Sequence, residues 1–276
     1  MYPLVTRMSR RVGATVAVAA LLLAAAGCGG GDGAGEGEAK GVGLVKSGQL
    51  TVCTHLPYKP FQHEEGGEIV GFDMDLLQLV ADDLGVKIEV VDIEWNQITS
   101  GAAFAANKCD MGMGAMTITD ERANALNITD PYMDATQVLL VKKDSPYKRL
   151  EDLKGKKVGV QTDTTGQEYA EKQAETIGFT VVPYDDLTLQ TNAVKTGKVD
   201  AGINDNGVLY DFVTDNPDVA VVAEFDTGEQ YGFAAKKDDA NGEKLVKKFN
   251  DLLAKAKDDG TYNEIYKKWF GVEPKQ

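Results

Sequence analysis

The sequence predicts an α/β fold in two similar units, each a mostly parallel sheet flanked by helices. Three observations carry this. Short apolar runs rich in β-branched residues alternate with stretches of helical periodicity. Polar loops follow the strand-like runs, the place where ligands sit in open α/β sheets. The order of elements starts afresh after Asp144-Ser145-Pro146, without a repeat in the residues themselves.

The chain opens with an address. Arg7, Arg10 and Arg11 precede an uninterrupted apolar and small-residue run, Val12 to Ala26, and Gly27-Cys28 follows. A basic segment, a short apolar segment and a small-residue exit describe an export signal over residues 1–27. The run is short of the roughly 20 residues of a spanning helix. Ala25-Ala26-Gly27-Cys28 resembles a bacterial lipobox, which makes Cys28 the expected lipidated N-terminus, with Ala25 where Leu is more usual. A non-cleaved anchor is the alternative, and it also leaves the protein outside the membrane. Residues 28–43, Gly-rich and acidic, read as a flexible tether.

In the first unit, Leu50–Thr54 is a strand followed by the Pro-stiffened loop His55 to Phe61, and Glu64 to Glu68 is a turn. Gly71-Phe72-Asp73-Met74-Asp75 leads into a helix, Leu76–Leu84, stopped by Gly85. Val86–Ile93 is a strand, and a helix runs from Trp95 to about Asn107. In the second unit, Leu150 to Gly155 is a short helix and stop, and Lys157–Gln161 a strand. The polar turn Thr162–Gln167 opens a helix to Ile177. Thr180–Pro183 is a strand, Thr188–Thr196 a helix, and Val199–Ile203 a strand ending in Asn204-Asp205-Asn206-Gly207. A helix Val208–Val213 and the strands Val219–Phe225 and Tyr231–Ala235 follow. Gly242–Lys257 and Tyr262–Phe270 close the chain as amphipathic helices.

Composition limits the partners. The formal charge is −14, and removing residues 1–27 leaves 249 residues with 26 Lys and Arg against 43 Asp and Glu, a formal −17. So acidic a chain is a poor candidate for nucleic acid or an anionic membrane surface. No cluster has metal-ligand spacing and no Gly-rich loop matches a phosphate cradle, so neither metal nor cofactor is expected. Cys28 aside, Cys53 and Cys109 remain, an even pair in an exported protein. They are either a disulfide between neighbouring strands or two inert buried thiols.

The chain is organised around Asp110 to Arg122. Its first half, with Gly112 and Gly114, suits a buried strand that a ligand can approach closely. Thr117 and Thr119 can cap a helix, and Asp120 and Glu121 suit its first turn. Arg122 falls in the same turn, against the dipole. A strand end, free N–H groups and a guanidinium make a receptor for a carboxylate. Pairing with Asp120, Glu121 or another surface acid is the plainer reading. Each of the other loops also has a plainer reading: packing for Tyr58 and Phe61, an anchor for Trp95, a cap for Thr164-Thr165, a turn for Asn204 to Gly207.

Taken together, these segments resemble a known family. Tyr58-Lys59-Pro60-Phe61, Gly71-Phe72-Asp73-Met74-Asp75-Leu76, Met116 to Arg122 with Pro131-Tyr132, Asp152 to Val160, Val199-Asp200-Ala201 with Asp205, and Asp259 to Ile265 with Lys268-Trp269-Phe270-Gly271 occur in the order found in type II solute-binding proteins of ABC importers, in the subgroup that binds polar amino acids. The similarity spans about Leu44 to Gly271.

The resemblance implies a two-lobed periplasmic-binding-protein-like type II fold with two crossing strands, near Val138–Val141 and Tyr231–Ala235. It places lobe 1 at 44–138 plus 234–276 and lobe 2 at 139–233. It implies that Arg122 holds an α-carboxylate, aided by backbone N–H groups of Thr117 and Thr165. Asp205 holds the α-ammonium with the Gly114 carbonyl and Thr117 hydroxyl, while Tyr58 and Trp95 wall the side chain. Thr164 and His55 complete the expected site. Asp163 stands where the family usually has glycine, His55 where some members carry an acid, and Ala115 where several carry a hydroxyl. These departures leave the exact ligand open, with a neutral or polar amino acid such as glutamine expected first, a basic one next, and Lys59 a candidate cation for an acidic one. The expected partners are a free amino acid and a membrane permease. A monomer on the outer face of the cytoplasmic membrane, lipid-anchored and without enzymatic activity, is the expected form. The rival readings are a cyclohexadienyl dehydratase-like enzyme on the same fold and a sensing module for a receptor.

Overall fold

The computed structural model describes residues 38–274. The expected export signal, Cys28 and the tether as far as residue 37 lie outside the described residues. Residues 38–43, expected as tether, pair as a small hairpin, Glu38–Ala39 with Val42–Gly43. Gly43 N–H donates to Asn241 Oδ1 at 2.9 Å, and Val42 is buried, which ties this segment to the body.

Ten strands form two five-stranded sheets: β1 (Gln49–Thr54), β2 (Lys87–Asp92), β3 (Met111–Gly112), β4 (Leu126–Ile128), β5 (Met133–Lys142), β6 (Lys157–Gln161), β7 (Thr180–Tyr184), β8 (Ala201–Asp205), β9 (Val219–Tyr231) and β10 (Ala234–Lys236). The first sheet has the order β2-β1-β3-β10-β4 and the second β7-β6-β8-β5-β9. Helices flank both, giving the two-lobed α/β architecture expected.

Each sheet is mostly parallel, as expected, with four strands pointing one way and a single reversed strand, β10 in the first and β5 in the second. β1 runs parallel to β2 and β3, and β6 parallel to β7 and β8. β10 is antiparallel to β3 and β4, and β5 is antiparallel to β8 and β9. The three parallel strands of each sheet come from local strand–helix–strand units. The reversed strands, β5 and β10, are long-range passages of the chain between lobes, which local periodicity does not encode. The strand expected to end at Phe225 continues to Tyr231, with register shifts against β5 between Val221 and Ala223 and between Phe225 and Glu229.

Several boundaries move for identifiable reasons. The helix expected from Leu76 begins at Phe72, because Phe72 and Asp73 are already buried in its first turn. The helix expected from Trp95 to Asn107 breaks into Trp95–Thr99 and Ala102–Ala105 at Gly101, whose φ is +79°. The turn at Glu64 to Glu68 is the tip of a hairpin, His63–Glu65 with Glu68–Val70. Cys53 on β1 and Cys109 just before β3 form a disulfide, which settles that pair. The first lobe packs Leu50, Val52, Phe72, Leu76 and Val80 with Tyr132, Phe233 and Phe249. Leu139, Val141, Val158, Val160 and Ile203 form a separate core in the second.

Candidate functional site

A cleft lies where the carboxyl ends of the parallel strands of both sheets meet, the place where open α/β sheets bind ligands. It is lined by His55, Tyr58, Gln62, Trp95, Gly114, Ala115, Thr117, Arg122, Gln161, Thr164, Thr165 and Asp205. The fold therefore brings together every ligand-contact position expected from the sequence and adds Gln62, Ala115 and Gln161 to them.

Arg122 is reached from the helix Asp120–Ala125, whose N-cap Thr119 accepts the Arg122 N–H at 3.2 Å. Its guanidinium turns away from Asp120 and Glu121. Nη1 donates to the Thr117 carbonyl at 2.9 Å and Nη2 to the Asp163 carbonyl at 3.1 Å. The side chain is 7% exposed, and burial pulls its pKa down while Asp205, Glu168 and Glu229 push it up. Thr117 faces Tyr231 in an isolated antiparallel bridge. The bonds of that bridge run from Ile118 N–H to Gln230 and from Gly232 N–H to Met116, which leaves the Thr117 N–H outside the pairing. A guanidinium with spare donors and free backbone N–H groups suits a carboxylate.

Asp205, 5% exposed, ends β8 on the other lobe. Its Oδ2 accepts from Tyr231 at 2.6 Å and lies 3.3 Å from the Tyr58 hydroxyl, and its Oδ1 accepts from Gln137 Nε2 at 2.6 Å. Burial and the nearby Glu229 push its carboxyl up to about 6, against the hydrogen bonds and Arg122. The cleft thus holds a buried cation and a buried carboxylate from different lobes, facing one space.

The aromatic wall does more than pack. The Tyr58 hydroxyl donates to Asn204 Oδ1 at 2.9 Å, and Trp95 Nε1 donates to the Asp163 carbonyl at 3.0 Å. Both bonds cross between lobes. Phe61 also reaches across, since a Cβ on Gly207 would come within 2.8 Å of its ring.

The departures from the family pattern also find their places. Asp163 has φ +60°, a left-handed conformation that Asp tolerates and glycine favours, and its side chain is exposed. Only its carbonyl serves the site. Thr164 lines the cleft, but its hydroxyl accepts the Gln167 N–H at 3.2 Å and donates to the Gln161 carbonyl at 2.8 Å. It caps the helix Thr165–Ile177 and is spent there. Lys59 points to the rim, 3.6 Å from Asp211 and 3.5 Å from Asp215, so it is not the cation for an acidic ligand. His55 Nδ1 lies 2.9 Å from the Ile93 carbonyl, which makes Nδ1 the donor of that bond, and Nε2 has no partner among the described residues.

Sequence reading missed several residues. Asp73 is buried and accepts the Gly114 and Ala115 N–H groups at 3.1 and 2.9 Å and the Tyr132 hydroxyl at 2.8 Å. It braces the backbone where Gly114 has φ +154° and Ala115 +47°. Its acidic neighbours Asp75 and Glu68 gave no contrast by which to pick it out. Gln137 and Glu229, on the crossing strands β5 and β9, form a second layer behind Asp205, Thr117 and Thr165. Among the described residues, no three His, Cys, Asp or Glu side chains gather as metal ligands.

Comparison with known proteins agrees with this geometry. The family model for bacterial extracellular solute-binding proteins, family 3, matches residues 50–272. The arginine-binding extracellular protein ArtP of Bacillus subtilis is 31% identical over 227 residues, covering 82% of this chain and 87% of that protein. The glutamine-binding protein GlnH of the same organism is 36% identical over 216 residues, covering 77% of each. An ancestral arginine-binding protein solved with arginine bound superposes with a TM-score of 0.75 at 40% identity, covering 81% of this chain and 99% of that one. The chain therefore belongs to the bacterial extracellular solute-binding proteins of family 3, the amino-acid-binding class that serves ABC transporters.

Proposed function

We propose that this protein binds a free L-amino acid with a hydrogen-donating side chain between its lobes and delivers it to an ABC permease. The observation that carries this reading is the placement of Arg122 and Asp205 on opposite lobes of one cleft. A zwitterion needs a cation and an anion at fixed separation, and closure around it makes both bonds at once. Arg122 takes the α-carboxylate with the Thr117 and Thr165 N–H groups. Asp205, the Gly114 carbonyl and the Thr117 hydroxyl take the α-ammonium.

The side-chain end favours donors. Gln62 Oε1, and His55 Nε2 in the neutral imidazole, are buried acceptors without partners among the described residues. A side-chain amide, guanidinium or imidazole satisfies them, whereas a carboxylate repels them. The relatives named for arginine and glutamine fall in this class. The lobes are taken as 44–138 plus 234–276 and 139–233. Cys28 would carry the lipid that holds the protein at the outer face of the cytoplasmic membrane.

The test is calorimetric titration of the purified protein with arginine, glutamine, histidine and glutamate, beside Arg122→Ala. Binding of one or more of the first three, rejection of glutamate and loss in the variant support the reading. Metabolic labelling with a fatty acid, lost in Cys28→Ala, tests the anchor.

A further inference from the structure

Glu229 lies on β9 just after a register shift. Its Oε2 accepts the hydroxyl of Thr117 at 3.0 Å and that of Thr165 at 2.9 Å. Thr117 belongs to the loop after β3 in one lobe, and Thr165 opens the helix Thr165–Ile177 in the other. One carboxylate oxygen thus joins the two lobes from behind the cleft. Thr227 Oγ1 donates to Oε1 at 2.9 Å. Gln137 Nε2 lies 3.3 and 3.1 Å from Oε1 and Oε2, and the same amide nitrogen donates to Asp205 at 2.6 Å.

A threonine hydroxyl has one hydrogen to give. The two threonine oxygens are also 3.3 Å apart, so each hydrogen has two acceptors to choose from. The carboxylate is charged and nearer, and it wins. Both hydroxyl hydrogens are then spent on Glu229, and both oxygens present only lone pairs to the cleft they line. Beside Asp205 these lone pairs suit the three N–H donors of an ammonium. They offer no hydrogen to the oxygen of a hydroxyl or keto group.

We propose that Glu229 is a positioning residue that ties the two lobes through Thr117 and Thr165 and, by holding their hydroxyl hydrogens, makes the cleft select an α-amino acid over its α-hydroxy counterpart. The proposal rests on the amino-acid reading of the cleft. Glu229→Gln keeps the shape but places an amide donor behind the threonines, which frees a hydroxyl hydrogen for the cleft.

The experiment titrates wild-type protein, Glu229→Gln and Thr165→Val with L-arginine, L-glutamine and the 2-hydroxy analogue of each. Glu229→Gln is expected to lower the amino-to-hydroxy affinity ratio at least tenfold, with the amino acid weakened and the hydroxy acid unchanged or tighter. Thr165→Val is expected to lower it in the same direction, and the double variant to show less than the product of the two. An unchanged ratio, or equal weakening of both ligand classes, overturns the proposal. If wild-type protein binds none of these compounds, the amino-acid reading itself has failed. Glu229 is then judged by small-angle scattering of refolded, ligand-stripped protein. A larger radius of gyration in Glu229→Gln upholds the tie between lobes, and an identical one removes it.

Discussion

The Arg122 guanidinium lies over the Trp95 indole, 5.6 Å from its carbon to the ring centroid, and both side chains donate to the one carbonyl of Asp163. The arginine is thereby held flat, with two of its donors fixed by Thr117 and Asp163 and the others without a partner among the described residues. Lysine has neither the planar fork nor the stacking face. Hydrogen bonds to a charged group are worth roughly 1.5–3 kcal/mol each. Arg122→Ala is therefore expected to raise the Kd at least about 100-fold, and Arg122→Lys at least about tenfold. Calorimetry checks this, and a lysine variant of wild-type affinity would show that charge alone suffices.

The pH dependence follows from Asp205, whose carboxyl burial raises from 3.8 to about 6. The native state keeps this proton in a window where the unfolded chain has released it. This contribution to stability is therefore present below about pH 4 and is lost as pH rises towards about 6. Asp73, raised by burial to about 7, acts in the same direction. Binding runs the other way, because an ammonium needs the carboxylate. Affinity is expected to fall as pH drops below about 6, tending to tenfold per unit. Titrations between pH 5 and 8 check it, and Asp205→Asn should bind weakly and lose the part of the fall that the Asp205 carboxyl causes.

Gly71 holds the loop of Tyr58 and Phe61 against the helix Phe72–Leu84. Its φ is +148°, and a Cβ there would stand 1.9 Å from the Phe61 carbonyl oxygen. Gly71→Ala must move backbone and is expected to cost about 3 kcal/mol or more, a Tm loss of roughly 6–12 °C. Gly66, at φ +64° with nothing within 4 Å of a Cβ, should cost about 1 kcal/mol on the same change. Equal losses in thermal unfolding would remove the steric account.

The Cys53–Cys109 disulfide closes a sequence separation of 56 residues. The chain-entropy relation gives a stabilisation of about 4 kcal/mol as an upper figure. The double Ala variant is expected to lose about 2–4 kcal/mol in denaturant unfolding. A reducing agent should bring the wild type to the same level and leave the variant where it is.

Sequence alone reached the fold and the cleft because their signals are local. Arg122 stood out as a cation in a helix's first turn, whereas Asp205, within the turn-forming run Asn204 to Gly207, gained a role only through the resemblance to the family. Tyr58, Trp95 and Thr165 followed strand-like runs. Glu229 and Gln137 were invisible because nothing in Asp226-Thr227-Gly228-Glu229 reports which distant hydroxyls it meets. The same holds for the antiparallel pairing of β5 with β8 and β9. Lys59 was open for the converse reason: its type fitted a ligand for an acid, while Asp211 and Asp215, distant in sequence, engage it at the rim.

The central claim is that Arg122 and Asp205 grip the two ends of one free amino acid. The most direct measurement is calorimetric titration of the purified protein, unfolded and refolded to strip carried ligand, with single L-amino acids, in parallel with Arg122→Ala and Asp205→Asn. Micromolar or tighter binding of arginine, glutamine or histidine, lost in both variants, is the predicted result. Retained affinity in either variant, or no binding to any amino acid by the wild type, would contradict the account.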